Sequence, residues 1–337
     1  MSRAAVWVVV GLLAAGCASG SAGRTAGPSP QPPSSSPSAS SSSPDAPLPS
    51  YVVARVSLGK QPCAVVAGFG SVWVALLGED TVLRLDPRTR RVLARIKTGN
   101  QPCGMAIGAG SVWVEDYGEG TATRIDGATN AVLAKPEVGP QPYDVTFAFG
   151  AAWVTNYGDN TVSRIDAKTG KVRSLPVGQL PTGAAQAGGA VWVTNKGDGT
   201  VSRIDPVSLK VRTVSVGGQP TWVAYTGPRG ATWWAADGGT NDVLELSGAT
   251  GRVLRRLPTS AVPNDGDVVA GVVWVPDFGG HVSGWSAATG RPVGHGPWAL
   301  PGVGNPFVLA GGFGQLWVVD FKGSDLWELD PSALLRS

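Results

Sequence analysis

Apolar and polar positions along this chain fall into a unit that repeats. Tryptophan followed by a small or branched apolar residue recurs at Trp73-Val74, Trp113-Val114, Trp153-Val154, Trp192-Val193, Trp234-Ala235, Trp274-Val275 and Trp317-Val318, with spacings of 40, 40, 39, 42, 40 and 43 residues. In the third unit Gln141-Pro142 opens one strand, 151–156 reads as a second, 161–166 as a third and 171–175 as a fourth. Each run is bounded by Gly, Pro, Asp or Asn, which punctuate short strands. A period near 40 residues with four strands per unit predicts an all-β fold, a seven-bladed β-propeller of four-stranded antiparallel blades. Such a sheet cannot bury both faces alone, so the blades must stack around a ring. The repeated tryptophan supplies ~150–250 Å² of burial at each step.

The repeat also shows how the ring closes. Residues 51–59 match 91–99, the outer strand of a unit, yet they precede the first complete unit. The last unit has three strands and ends at Leu326-Trp327-Glu328-Leu329-Asp330. The N-terminal strand is therefore expected to complete the last blade, leaving no loose sheet edge.

Composition agrees with this pattern. Charged residues are 15% of the chain, against about 25% for an ordinary domain, and 48 glycines suit many tight turns. The net charge is +3, with basic residues recurring at fixed repeat positions rather than in one patch. That distribution argues against a nucleic-acid partner.

The first residues differ. Arg3 and the apolar run 4–15 read as an export signal too short to span a bilayer. Leu13-Ala14-Ala15-Gly16-Cys17 resembles the lipobox of bacterial lipoproteins, with Leu13 one place earlier than usual. The resemblance implies that Cys17 is acylated and becomes the mature N-terminus, which places the protein outside the cytoplasm, lipid-anchored to the cell membrane. Residues 18–50 are Ser, Pro, Ala and Gly with few apolar side chains, a composition expected to stay disordered. As a spacer it reaches roughly 30 Å or more. The expected organisation is a signal peptide over 1–16, a lipidated cysteine and tether over 17–50, and the propeller over 51–337.

The units Trp-Val-Thr-Asn-Tyr-Gly-Asp-Asn-Thr-Val-Ser-Arg-Ile-Asp at 153–166 and Trp-Val-Thr-Asn-Lys-Gly-Asp-Gly-Thr-Val-Ser-Arg-Ile-Asp at 192–205 resemble the YVTN-type β-propeller repeat, with Trp for its first Tyr. The likeness covers roughly 51–331 and weakens in the last three units. It implies a seven-bladed envelope or extracellular protein. A more distant resemblance is to streptogramin B lyases, which are built from similar blades.

Candidate chemistry belongs on the face where the loop before the first strand meets the loop after the second. After the Gln-Pro element stand Cys63, Cys103, Tyr143, Thr182, Thr221 and Phe307, followed at the next position by Asp144 and Trp222. Three places after the anchor tryptophan come Leu76, Asp116, Asn156, Asn195, Asp237, Asp277 and Asp320, with Tyr117, Tyr157, Phe278 and Phe321 one place further. This surface suits a glycan, a peptide or protein, or an aromatic metabolite. Asp and Asn at such positions also open turns by bonding to the backbone, so departures from the repeat carry more weight. The candidate ligand-binding set is Tyr143, Asp144, Asn156, Trp222, Asp277, Phe307 and Asp320.

Cys63 and Cys103 occupy one position in adjacent units and are expected to form a disulfide outside the cytoplasm. The two histidines, His281 and His295, both fall in the sixth unit, and no catalytic constellation is visible. The expected function is a monomeric binding or scaffolding module without a cofactor. The alternative is a lyase or hydrolase assisted by a divalent cation through Asp277, His281 and Asp320. A quinone-dependent dehydrogenase would need more conspicuous cationic groups than the chain has.

Overall fold

The computed structural model describes residues 47–225 and 231–337; Cys17 and most of the spacer lie outside them. The described residues form seven four-stranded antiparallel sheets. Each innermost strand touches the innermost strands on either side, including that of the first blade with that of the seventh, so the sheets close a ring. The fold is the seven-bladed β-propeller expected from the repeat.

In blade 3 the strands are Pro142–Ala148, Ala151–Asn156, Thr161–Asp166 and Val172–Pro176, numbered here from the inside outward. Blade 6 is the least regular: its inner strand is Asp267–Val269 and its outer strand Trp298–Ala299. Pro292 and Pro297 interrupt the outer segment, and proline cannot donate to a ladder. At Gly266 the chain passes the carbonyl of Trp274 so closely that a Cβ would lie 2.0 Å from it.

The anchor tryptophans are buried between blades. Trp73, Trp113 and Trp153 face Arg84, Arg124 and Arg164 directly across the strand pair. The guanidinium carbons lie 4.9, 4.8 and 5.7 Å from the ring centroids. The repeated arginine thus covers the indole on which the next blade stacks. Asp86, Asp126, Asp166 and Asp205 accept hydrogen bonds from the amides two and three residues on, shaping the turn before the outer strand.

Closure follows the sequence expectation. Val52–Ser57 pairs antiparallel with Asp325–Leu329 and forms the outer strand of blade 7. Arg55 Nε donates to Asp325 Oδ2 at 2.7 Å, and the Arg55 guanidinium lies 5.0 Å from the centre of the Trp327 ring. Val52 and Leu58 are buried, against blades 6 and 7 and against blades 7 and 1 respectively.

Cys63 and Cys103 form a disulfide between the inner strands of blades 1 and 2, with Cα atoms 5.0 Å apart and a sequence separation of 40. Cross-linking a loop of that length restricts the unfolded chain, so replacing both cysteines by serine is expected to cost about 3 kcal/mol. Reductant should lower the melting temperature of the native protein to that of the double variant. An equal midpoint with and without reductant would contradict the role assigned to the bond.

Candidate functional site

One hydrogen bond recurs on one face of every blade and ties its two loops together. The amides of Leu77, Tyr117, Tyr157, Lys196, Gly238, Phe278 and Phe321 donate to the carbonyls of Gln61, Gln101, Gln141, Leu180, Gln219, Val262 and Asn305. The loop entering each blade and the loop after its second strand therefore share a face, here called the loop face.

Beneath it lies the ring of Asp and Asn, in which Asp116, Asn156, Asn195, Asp237, Asp277 and Asp320 are all 0–1% exposed. Asp116 accepts from Gly99 N at 2.9 Å and from the Thr121 and Thr123 hydroxyls at 2.8 and 2.7 Å. Asn156 accepts from Gly139 N at 3.2 Å and donates to Thr161 and Ser163. Asp277 accepts from the Ser260 hydroxyl and from Gly279 N, and Asp320 accepts from Gly304, Asn305 and Gly323 N. Of the candidate set, Asn156, Asp277 and Asp320 thus have their polar atoms engaged in holding loops. Blade 1 has Leu76 at this place; its Glu79 accepts the Lys60 amide at 2.9 Å, as Glu119 accepts the Asn100 amide in blade 2.

Tyr143, Asp144, Trp222 and Phe307 lie on the inner strands and are half-buried. Tyr143 stacks on Tyr157 with ring centroids 5.6 Å apart, and Phe307 packs on Phe321 at 5.3 Å. The two pairs occupy equivalent places in blades 3 and 7. Trp222 packs instead against the apolar cluster between blades 5 and 6.

Asp144 opens a second feature, an acidic group that sequence reading found only in part. Its Oδ2 accepts from Ala184 N of the next inner strand at 3.0 Å, and burial raises its pKa to about 7. Glu115 is fully buried; its Oε1 accepts from Gly104 N at 2.7 Å, while its Oε2 has no partner. Gly104 leaves the room: a Cβ there would lie 3.0 Å from Asp144 Oδ1. Asp265 and Asp267 come from the irregular inner segment of blade 6, and Asp267 accepts from Gly311 N of blade 7 at 2.9 Å. Burial, reinforced by Asp144 and Asp267, pushes the pKa of Asp265 well up. Burial raises Glu115 and Asp267 likewise, with the charges of Asp116 and Asp144 adding to the shift at Glu115. Burial also raises the Tyr143 phenol, as do Tyr157 and Glu115.

Among the described residues, none of Glu115, Asp144, Asp265 and Asp267 is in an ion pair. Nor, among the described residues, does any group of three or more His, Cys, Asp or Glu have an arrangement able to hold a metal ion. Glu115 stands where the other blades carry Ala75, Thr155, Thr194, Ala236, Pro276 and Val319, a departure from repetition of the same kind that singled out Asp144. Asp265 aligns with Asp144 itself, two places after the opening proline. A separate open recess of about 470 Å³ lies on the loop face between blades 4 and 5, lined by Leu180, Lys196, Asp198, Ser215 and Gln219 among others.

Fold and loop face together define a propeller with a half-buried aromatic and acidic inner rim. No family model matches the chain, and no curated protein matches it. Solved structures do. A streptogramin B lyase superposes with a TM-score of 0.71 at 15% identity, covering 82% of this chain and 96% of its own. A catalytically inactive virginiamycin B lyase from Staphylococcus aureus, with quinupristin, gives 0.72 at 14% identity, covering 82% and 98%. Hydrazine synthase from Kuenenia stuttgartiensis gives 0.70 at 15% identity, covering 81% and 96%. At such identities the likeness is one of fold.

Proposed function

We propose that the chain is an extracytoplasmic lipoprotein, anchored through Cys17, whose propeller binds or scaffolds an envelope ligand at the inner rim of the loop face. The observation that carries this reading is the pair of half-buried aromatic stacks, Tyr143 on Tyr157 and Phe307 on Phe321, beside acids that have no ion-pair partner among the described residues. Aromatic faces next to acceptor oxygens suit a ligand with an apolar surface and hydrogen-bond donors, as glycans and peptides have. A ligand that binds only the folded state raises the melting temperature by mass action. In a thermal-shift screen of glycans, peptides and divalent ions, hits are expected among the glycans or peptides, and Tyr143→Ala should abolish their shift. A hit whose shift survives both Tyr143→Ala and Phe307→Ala would place the site elsewhere.

One contact favours the alternative of a cation-assisted lyase or hydrolase. His281 Nδ1 lies 3.4 Å from Asp277 Oδ1, next to the loop face of blade 6. A magnesium-dependent activity lost in His281→Ala would support that reading over a binding module.

A further inference from the structure

The face opposite the loop face is built from the hairpin tips between first and second strands and the turns between third and outer strands. Backbone hydrogen bonds join the two sets within a blade: the amides of Gly127, Ala167, Gly248 and Ala287 donate to the carbonyls of Gly110, Gly150, Ala231 and Gly271.

Three of these tips carry phenylalanine. Phe69, Phe149 and Phe313 are 38%, 40% and 49% exposed. Each sits at positive φ (51°, 50° and 55°), a conformation that Asn, Asp or Gly adopts at lower cost. Local turn chemistry therefore does not account for an aromatic residue there; the Phe69 ring lies against Gly127 of blade 2 and is still partly open to solvent. On the same face Val207 is 91% exposed at the tip of a turn in blade 4.

The turns around these tips are basic, with Arg88, Arg91, Lys168, Lys171, Lys210 and Arg252 all exposed. The aspartates of the same turns point their oxygens inward onto turn amides. The chain also enters the propeller on this side. The carbonyl of Tyr51 accepts from the amide of Asp330, which holds the turn position of blade 7.

We propose that this face docks on an anionic lipid bilayer, with Phe69, Phe149 and Phe313 entering the interface and the basic turns meeting the headgroups. Exposed aromatics flanked by Lys and Arg are the chemistry of interfacial binding. The entry point of the chain suits it, and here the inference rests on the proposed lipidation of Cys17: Tyr51 lies on this side, so the tether would attach at the face that docks. Tethering makes docking effectively intramolecular, and a weak contact then suffices. The loop face, with its aromatic and acidic rim, would point away from the lipid.

The test uses the chain from residue 18 onward, which contains the whole ring and no lipidation site, in co-sedimentation with vesicles. Binding is expected to vesicles of phosphatidylglycerol and phosphatidylcholine and to be much weaker with phosphatidylcholine alone. The combined variant Phe69→Asn, Phe149→Asn and Phe313→Asn relieves three disfavoured turn conformations but loses the contact of Phe69 with Gly127, so its melting temperature is measured first to show that it folds. It should partition roughly a hundredfold more weakly. Arg91→Gln with Lys171→Gln and Lys210→Gln should remove the preference for anionic lipid. Unchanged vesicle binding by the asparagine variant would overturn the proposal. So would tight binding of soluble polyphosphate together with no binding to vesicles, since the basic turns would then serve a soluble polyanion.

Discussion

A chain lacking residues 51–58 is expected to lose most of its cooperative stability. The deletion removes the outer strand of blade 7 and takes Val52, Val56 and Leu58 out of two apolar clusters. At ~1.5–3 kcal/mol for each buried aliphatic side chain the loss is roughly 5–8 kcal/mol, against a total stability of about 5–15 kcal/mol for a typical domain. Asp325 loses the Arg55 guanidinium that pairs with it at 2.6 Å, and one face of the buried Trp327 ring loses its cover. The edge of Asp325–Leu329 is left open to pair with another chain. Thermal melting of the truncated and intact proteins side by side measures this, and an unchanged midpoint would show that the ring closes without the strand.

The second large effect is a stability that falls as pH rises through neutrality. Burial raises Asp144 to about 7 and lifts Glu115, Asp265 and Asp267 above the ordinary carboxylate range. Between the unfolded value near 4 and the raised folded value, the folded state binds more protons than the unfolded one. Stability therefore declines as pH increases across that interval. For Asp144 alone the shift corresponds to roughly 2–4 kcal/mol, allowing for solvent that reaches its half-buried carboxyl. The turn residues Asp86, Asp126, Asp166 and Asp205 act in the opposite sense, because backbone hydrogen bonds lower their pKa values. Their contribution is present above the unfolded value and is lost as the solution becomes more acidic. The melting temperature should peak at mildly acidic pH and fall towards pH 8. Asp144→Asn keeps an oxygen for the Ala184 amide and should raise the midpoint at pH 8. A midpoint that climbs from pH 5.5 to pH 8, or that Asp144→Asn leaves alone, would contradict this account.

The acidic group was only partly legible in the sequence, and the reason is geometric. Asp144 stood out because its neighbours in the repeat are mostly small. Glu115 departs from the repeat in the same way, but it lies on a second strand, where a residue is ordinarily assigned to the sheet core. Asp265 holds the repeat position of Asp144, two places after Pro263, but it and Asp267 fall where blade 6 loses its regular inner strand, and that irregularity hid the alignment. Conversely, Asn156, Asp277 and Asp320 looked like a polar surface because they recur beside the loops. The structure places their oxygens and nitrogens on loop amides and hydroxyls, the turn-forming role that Asp and Asn commonly take beside such loops.

By itself the sequence determined the blade count, the bounds of the second and third strands of blade 3, the closing strand and the cysteine pairing. The blade count, those bounds and the cysteine pairing depend on near neighbours: alternation within a strand, or contact between one unit and the next some 40 residues on. The closing strand pairs with residues some 270 positions away and was legible only because it matches the outer strand of a unit. Tertiary structure alone decided which polar residues remain open to a ligand and which are consumed by loops. It also joined acids from blades 2, 3 and 6, which are not all neighbours in the ring. The physical reason is that ring closure sets distances between strands far apart in sequence, and burial at the inside of the ring raises the cost of each charge placed there. Only closure, likewise, put the phenylalanine tips, the basic turns and the entry of the chain on one face.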